Sequence, residues 1–371
     1  MTKILFIIIA GFHGLIHLMG FVKAFHLAEI KDLTEPVSKP LGLFWFFTFL
    51  LFTATIIQYL LKSEFWWLTG FIAILVSQAL VIIFWQDAKF GTIPNLIILL
   101  IATVAFAGYN FNRYVDQEID HMFSQAAIKN QQTITADMIS QLPMSVQTWI
   151  RNSGLIGKEN IYAVRLKQQA LMKLKAEQEN WTDARAQQYY TIEQPAFIWK
   201  VNLPMMPFID IAGRDKFIDG KGEMLIKILS LIPVVNSGDN EKINTGALQR
   251  YLGEIVWFPA AALSPYITWQ EIDDLSAEAT MTYKGTKGSG IFHFNENGEF
   301  IKFSAQRYLG DDENATLKEW IITASESKVI NGIKIPVKCE ATWKLEDGDW
   351  TWLILEINDV EYNHPSIYAK E

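Results

Sequence analysis

Four stretches without a charged residue, Ile4 to Val22, Leu41 to Leu61, Phe65 to Gln86 and Phe90 to Asn112, fill the first third of the chain. A helix rising about 1.5 Å per residue needs roughly 20 apolar residues to cross the hydrocarbon core, and each stretch is near or above that length. The pattern predicts an α-helical membrane module of four spans. Beyond Arg113 the chain turns abruptly to a charged, amphipathic mixture, as a water-soluble α+β domain requires. The expected division is a transmembrane module over residues 1–112, a helical neck over 113–150 and a sheet domain over 151–371.

The overall charge of −8, from 40 acidic and 32 basic residues, argues against nucleic acid, because no Lys and Arg cluster is available for phosphates. Cys339 is the single cysteine, so no intramolecular disulfide is possible. No small-residue cleavage site follows the apolar run after Lys3, which therefore reads as an uncleaved first span. One side of the membrane would hold Lys23, Lys31, Lys39 and Lys89, and the other Lys3, Lys62, Arg113 and Lys129. The count leans toward a cytoplasmic first loop, which puts the N-terminus and the soluble domain outside the cytoplasm.

Polar residues within spans mark candidate sites. His13 and His17 lie four apart, on one face of the first helix, a spacing that suits a metal or a haem. Gln78, Asp87, Lys89 and Asn95 gather in and around the third loop, WQDAKFGTIPN. Either these groups form a relay or metal-linked site, or the histidines hydrogen-bond across the bundle while Asp87 and Lys89 anchor at the interface. Two histidines lack a second ligand pair, so no metal is assigned, and no cofactor is expected. Trp45, Trp66, Trp67 and Trp85 read as an interfacial aromatic belt.

In the soluble part, Pro143 marks a helix start and Thr245 a cap for an inserted helix carrying Leu248, Tyr251, Leu252 and Ile255. Strands are expected over Ile161 to Lys175, Phe197 to Leu203, Phe208 to Asp219, Glu223 to Leu231, Ala277 to Tyr283, Gly290 to Phe294 and Phe300 to Tyr308. The clearest hairpin runs from Ile335 to Leu345 and from Trp350 to Ile357, with turns at Asp219-Gly220, Asn297-Gly298 and Asp347-Gly348. Eight to ten antiparallel strands imply a large curved sheet that must close or bury its concave face under inserted helices.

Arg250, Glu254 and Trp257 share one face of the inserted helix. Facing the sheet they would floor a ligand pocket; facing water, Arg250 and Glu254 are an ordinary helix ion pair. Arg214 and Asp215 point to opposite faces of their strand, while Asp210 and Arg214 share one. Asp210, Arg214 and Arg307 complete the polar candidates. No nucleophile elbow, HExxH, phosphate loop or CxxC is present, so no catalytic residue is assigned and nothing marks the chain as an enzyme.

The runs RYLGEIVWFPAAALSPYITWQEIDD, GIFHFNENGEFIKFSAQRY, GRDKFIDGKGEM and WQDAKFGTIPN resemble the signature blocks of a bacterial membrane-protein family of unknown function. At fold level the soluble half is similar to the periplasmic LolA-like lipoprotein carriers, half-barrels in which a bent antiparallel sheet wraps helices around a hydrophobic cavity. The carrier likeness favours an extracytoplasmic location for the soluble domain of a multi-pass protein of the bacterial inner membrane. The apolar side chains of Phe197, Trp199, Met205, Met206, Phe292, Phe294, Trp343 and Trp350 motivate the expectation that this domain binds a lipid or other apolar ligand close to the bilayer. The alternatives are a redox, metal- or haem-linked membrane enzyme built around His13 and His17, and a structural membrane protein whose sheet encloses a solid core.

Overall fold

The structure, a computed structural model, describes residues 2–126, 132–206, 209–238 and 240–369. Lys129 and Phe208, and the side chains of Lys3 and Met206, lie outside the described residues. Two compact units form: Met1–Arg113 together with Leu229–Leu231, and Tyr114–Met205, Ile209–Ile228 and Ile232–Glu371.

The first unit is helical: α1 (Thr2–Ile16), α2 (Leu18–Ala24), α3 (Lys39–Leu60), α4 (Trp66–Ile83), the single turn α5 (Trp85–Ala88) and α6 (Thr92–Gln125). Four helical segments, Ile4–Ala24, Lys39–Leu60, Trp66–Ile83 and Trp85–Gln125, are long and apolar enough to cross a membrane. Their large apolar side chains face outward, with Leu75 73 % and Phe12 68 % exposed, the reverse of a water-soluble bundle. Inside, Phe6, Ala10, Phe52, Ala73, Ile74 and Ile98 form a small core. Small residues permit close approach, as bundles in lipid require. A Cβ on Gly20 would lie 2.1 Å from Trp45 Cδ2, so only glycine lets α2 lie against α3 there. Trp45 is buried between helices rather than placed in an interfacial belt, because that gap admits its indole.

In the second unit α7 (Met144–Asn152) starts after Pro143, as expected. There follow β1 (Ala163–Met172), β2 (Thr182–Thr191), β3 (Ala196–Met206), β4 (Ile209–Ile218), β5 (Lys221–Ile228), β6 (Ile232–Gly238) and α8 (Glu241–Glu254). The chain then runs through β7 (Ile267–Asp273), β8 (Ser276–Tyr283), β9 (Thr286–Phe294), β10 (Phe300–Leu309), β11 (Thr316–Ile330), β12 (Ile333–Leu345) and β13 (Gly348–Tyr362). These make one 13-stranded half-barrel sheet in the order β6-β5-β4-β3-β2-β1-β13-β12-β11-β10-β9-β8-β7. Each half is a meander, and β1 joins them by pairing antiparallel with β13. Register shifts in β11, β12 and β13 are the bulges that let so long a sheet curve.

The sheet has more strands than the eight to ten expected. β2, TDARAQQYYT, escapes alternation because Gln188 points into the core; β6, β7 and β11 carry too many exposed or charged positions to show an apolar period. The inserted helix begins earlier than expected, capped by Asn240, whose Oδ1 accepts from Ile243 N at 2.9 Å, not by Thr245. Asp219 (φ 53°) and Gly220 (φ 78°) adopt the left-handed turn that their dipeptide demands.

Both faces of the sheet are used. On the concave face α8 packs against β4, β5, β8, β9 and β10, and Leu248, Tyr251, Leu252, Trp257 and Phe258 enter one continuous core with Phe197, Phe292, Phe303 and Val337. On the opposite face, residues 114–125 of α6 are held by ion pairs: Asp116 to Lys200 at 2.8 Å, and Glu118 to Lys216 at 2.7 Å and to Arg214 at 3.1 Å.

Candidate functional site

The four-residue spacing on α1 carries His13 and His17 to one face, where their rings meet edge to face with centroids 4.8 Å apart. At His17 the helix breaks: its backbone N–H turns to Gly14 O at 3.1 Å, and its ring Nδ1 donates to the His13 carbonyl at 2.9 Å. A carbonyl only accepts, so the His17 proton sits on Nδ1 and Nε2 is left with a lone pair. His13 Nε2 lies 2.9 Å from Asn95 Oδ1 and 3.1 Å from Ser77 Oγ. Asn95 Nδ2 donates to Gln78 Oε1 at 3.0 Å, and Gln78 Nε2 to Thr92 Oγ1 at 3.2 Å. This order presents the Asn95 carbonyl to His13, which donates from Nε2. His13 Nδ1 is then a buried acceptor with no partner among the described residues.

Both rings line a cavity of ≈530 Å³ bounded by α1, α2, α3 and the start of α6. That volume is within the range of roughly 300–1,000 Å³ typical of small-molecule sites. Its wall is apolar except for His13, His17, the Trp45 indole, and Asp32 and Asp87 at one end. Asp87 is engaged: its carboxylate accepts from Thr34 N at 2.6 Å, Thr34 Oγ1 at 2.7 Å and Glu35 N at 3.0 Å, drawing the first loop onto α5. Lys23 ties the same loop by donating to the Leu33 carbonyl. Ile8, Phe12, Phe90 and Ile93 at the cavity margin are all more than half exposed.

The second unit holds a buried polar chain on its concave side. Trp199 Nε1 donates to Gln168 Oε1 (2.8 Å), Gln168 to Gln188 (3.2 Å), and Gln188 to Glu254 Oε2 (2.8 Å), which Tyr190 Oη also reaches at 2.9 Å. Arg250 bonds Glu254 at 2.9 Å and Asp215 at 2.5 Å, and its guanidinium stacks on Phe197 and Trp199. Arg307 stacks on Trp320 and Trp343, with its guanidinium against Gly246 of α8. Burial pushes the Arg307 guanidinium down to about 10, partly offset by attraction to Asp215 and Glu254. Burial likewise raises the Glu254 carboxyl, against the pull of Arg250, and pushes the Cys339 thiol up to about 12. Two acids face two guanidinium groups, so the cluster is neutral and its hydrogen bonds serve to fix α8 on β2 and β4.

The structure therefore brings His13, Gln78 and Asn95 into one hydrogen-bonded group with His17 beside it. Lys89 is exposed over Phe90 and does not pair with Asp87. Arg250 and Glu254 are not a solvated helix pair: their side chains are 11 % and 7 % exposed, in the half of α8 that the concave sheet covers. Trp257 is 3 % exposed, donates to the Pro336 carbonyl at 3.1 Å and belongs to the packed core. Arg214 faces away from this cluster toward Glu118 and Glu223, and Asp210 is exposed at the start of β4. Missed from sequence were Ser77, Thr92 and Trp45 in the helices and Gln168, Gln188, Tyr190 and Asp215 in the sheet. A small hydroxyl in an apolar span, such as Ser77, was the available signal.

No match is found among curated proteins. A crystal structure of a LolA superfamily protein from Nitrosomonas europaea is similar over 58 % of this chain and 92 % of its own, at 12 % identity and a TM-score of 0.35, too slight a likeness to carry an argument. Residues 140–362, more than half of the 371, match the family of unknown function DUF6920, and the chain belongs to that family.

Proposed function

We propose that this is a multi-pass protein of the cytoplasmic membrane whose helical module takes up a lipid-soluble molecule, and whose sheet domain stands outside the cytoplasm. The observation that carries the reading is the cavity in the helical unit, margined by the exposed apolar side chains of Ile8, Phe12, Phe90 and Ile93. In a bilayer such side chains meet acyl chains, so a hydrophobic molecule reaches the cavity without crossing water. Lys23, Lys31 and Lys39 in the first loop favour a cytoplasmic first loop and hence an extracytoplasmic domain. The concave face of the sheet is occupied by α8 and its core, which supports looking for the ligand site in the helices instead.

Gly91 supplies the test. A Cβ at this position would lie 3.0 Å from Val81 Cγ2 and 3.4 Å from His13 Cε1, so a leucine here projects into the space the cavity occupies. Native mass spectrometry of the full chain from mild detergent should show an apolar adduct that Gly91→Leu removes. A wild-type protein that arrives bare and is not stabilised by any hydrophobic probe would end this reading.

A further inference from the structure

The acceptor His17 Nε2 has no hydrogen-bond partner among the described residues, and its ring lines the cavity, with the residue 2 % exposed. His13 Nδ1 and Trp45 Nε1 also lack partners but are fully enclosed by neighbouring atoms and out of reach of a molecule in the cavity. The His17 ring lies 5.3 Å from Trp45 and 4.8 Å from His13, centroid to centroid. Buried polar atoms are nearly always hydrogen-bonded, and the rest of this wall is hydrocarbon apart from the two aspartates at one end.

We propose that the molecule taken up carries a hydroxyl head that donates to the Nε2 lone pair of His17, a reading that rests on the proposed function above. The site needs a donor from its ligand. A ketone or quinone oxygen only accepts and leaves the His17 imidazole unpaired, as a hydrocarbon does. A hydroxyl supplies the missing proton. Phenolic heads, as in hydroquinones, and aliphatic alcohols of lipids share this chemistry.

Probes with matched tails separate the possibilities. Decylhydroquinone kept reduced, the corresponding decylquinone, 1-decanol and decane are each titrated against the full-length protein in detergent, and apparent Kd is read from the ligand-dependent rise in melting temperature. The hydroxyl probes should bind about tenfold more tightly than quinone or hydrocarbon, the worth of one buried hydrogen bond. His17→Phe, which keeps an aromatic ring but no acceptor, should erase that preference while decane binding persists, showing that the cavity is intact. Hydroquinone ahead of decanol identifies a phenolic head, and parity an aliphatic one. Equal binding of all four probes overturns the hydroxyl head and leaves the cavity's uptake of apolar molecules standing. Failure of all four overturns both.

Discussion

The imidazole of His13 on α1 and the side-chain amide of Asn95 on α6, 82 residues apart in sequence, meet at 2.9 Å, and Gln78 on α4 holds that amide in place. One hydrogen-bonded group thus joins three helices, with His13 and Asn95 both buried. It also fixes which nitrogen of His13 stays unpaired beside the cavity.

Asn95→Leu should therefore loosen the bundle. It strands Gln78 Oε1 and leaves His13 Nε2 with Ser77 Oγ as its one remaining partner among the described residues, and interhelical hydrogen bonds in membranes are worth about 0.6–1.7 kcal/mol each. A loss of about 1–2 kcal/mol is expected in reversible unfolding in detergent micelles. Combined with His13→Leu, the double variant should lose less than the two single losses together. Strict additivity would show that the two side chains are not coupled.

Trp257→Ala tests whether the concave core is solid. Trp257 is buried with its indole N–H satisfied by Pro336, so truncation opens a void and should remove about 3–5 kcal/mol of stability. Retention of any co-purified apolar molecule in this variant would agree with a site in the helices. A melting temperature unchanged from wild type would mean that Trp257 borders open space.

Topology can be read with thiol chemistry. Cys339 is buried and its thiol is held protonated, so a charged maleimide should not modify the native protein. Glu346 is 88 % exposed in its side chain, and Glu346→Cys supplies one accessible thiol. Labelling of intact cells is expected; labelling only after lysis would place the sheet domain in the cytoplasm.

Glu299 gives a pH dependence of known sign. A hydrogen bond from Lys334 and another from Asn295 Nδ2 at 2.8 Å hold its carboxyl below the ordinary range. A depressed carboxylate contributes stability that is complete above its unfolded value of about 4.3 and is lost as pH falls through the folded value. The stability gap between wild type and Glu299→Gln should be widest at neutral pH and close progressively below about pH 4.3. A gap that stays constant with pH would show that the ion pair contributes nothing.

The Arg250–Glu254 pair shows why part of the soluble domain was illegible in sequence. Spacing of four makes a helix pair on any helix, and only the sheet around α8 turns it into a buried group completed by Asp215, Gln188 and Tyr190. Gln188 sits on a strand whose pattern, TDARAQQYYT, hides its inward face, because a polar side chain there is satisfied by distant partners. The clear hairpins, by contrast, were legible: alternation from Ile335 to Leu345 and a turn at Asp347-Gly348 correspond to β12 and β13.

By itself the sequence determined what is local. Apolar runs longer than a bilayer core specify four long helices, period-two alternation and glycine turns specify most strands, and the four-residue step puts His13 and His17 on one face. The tertiary structure decided what depends on contacts distant in sequence. It chose Asn95 and Ser77 as partners of His13, buried Trp45 against Gly20, filled the concave sheet with α8 and left a cavity among the helices. Hydrogen-bond partners and empty volume are properties of juxtaposed surfaces, and no periodicity along a single chain encodes which surfaces will meet.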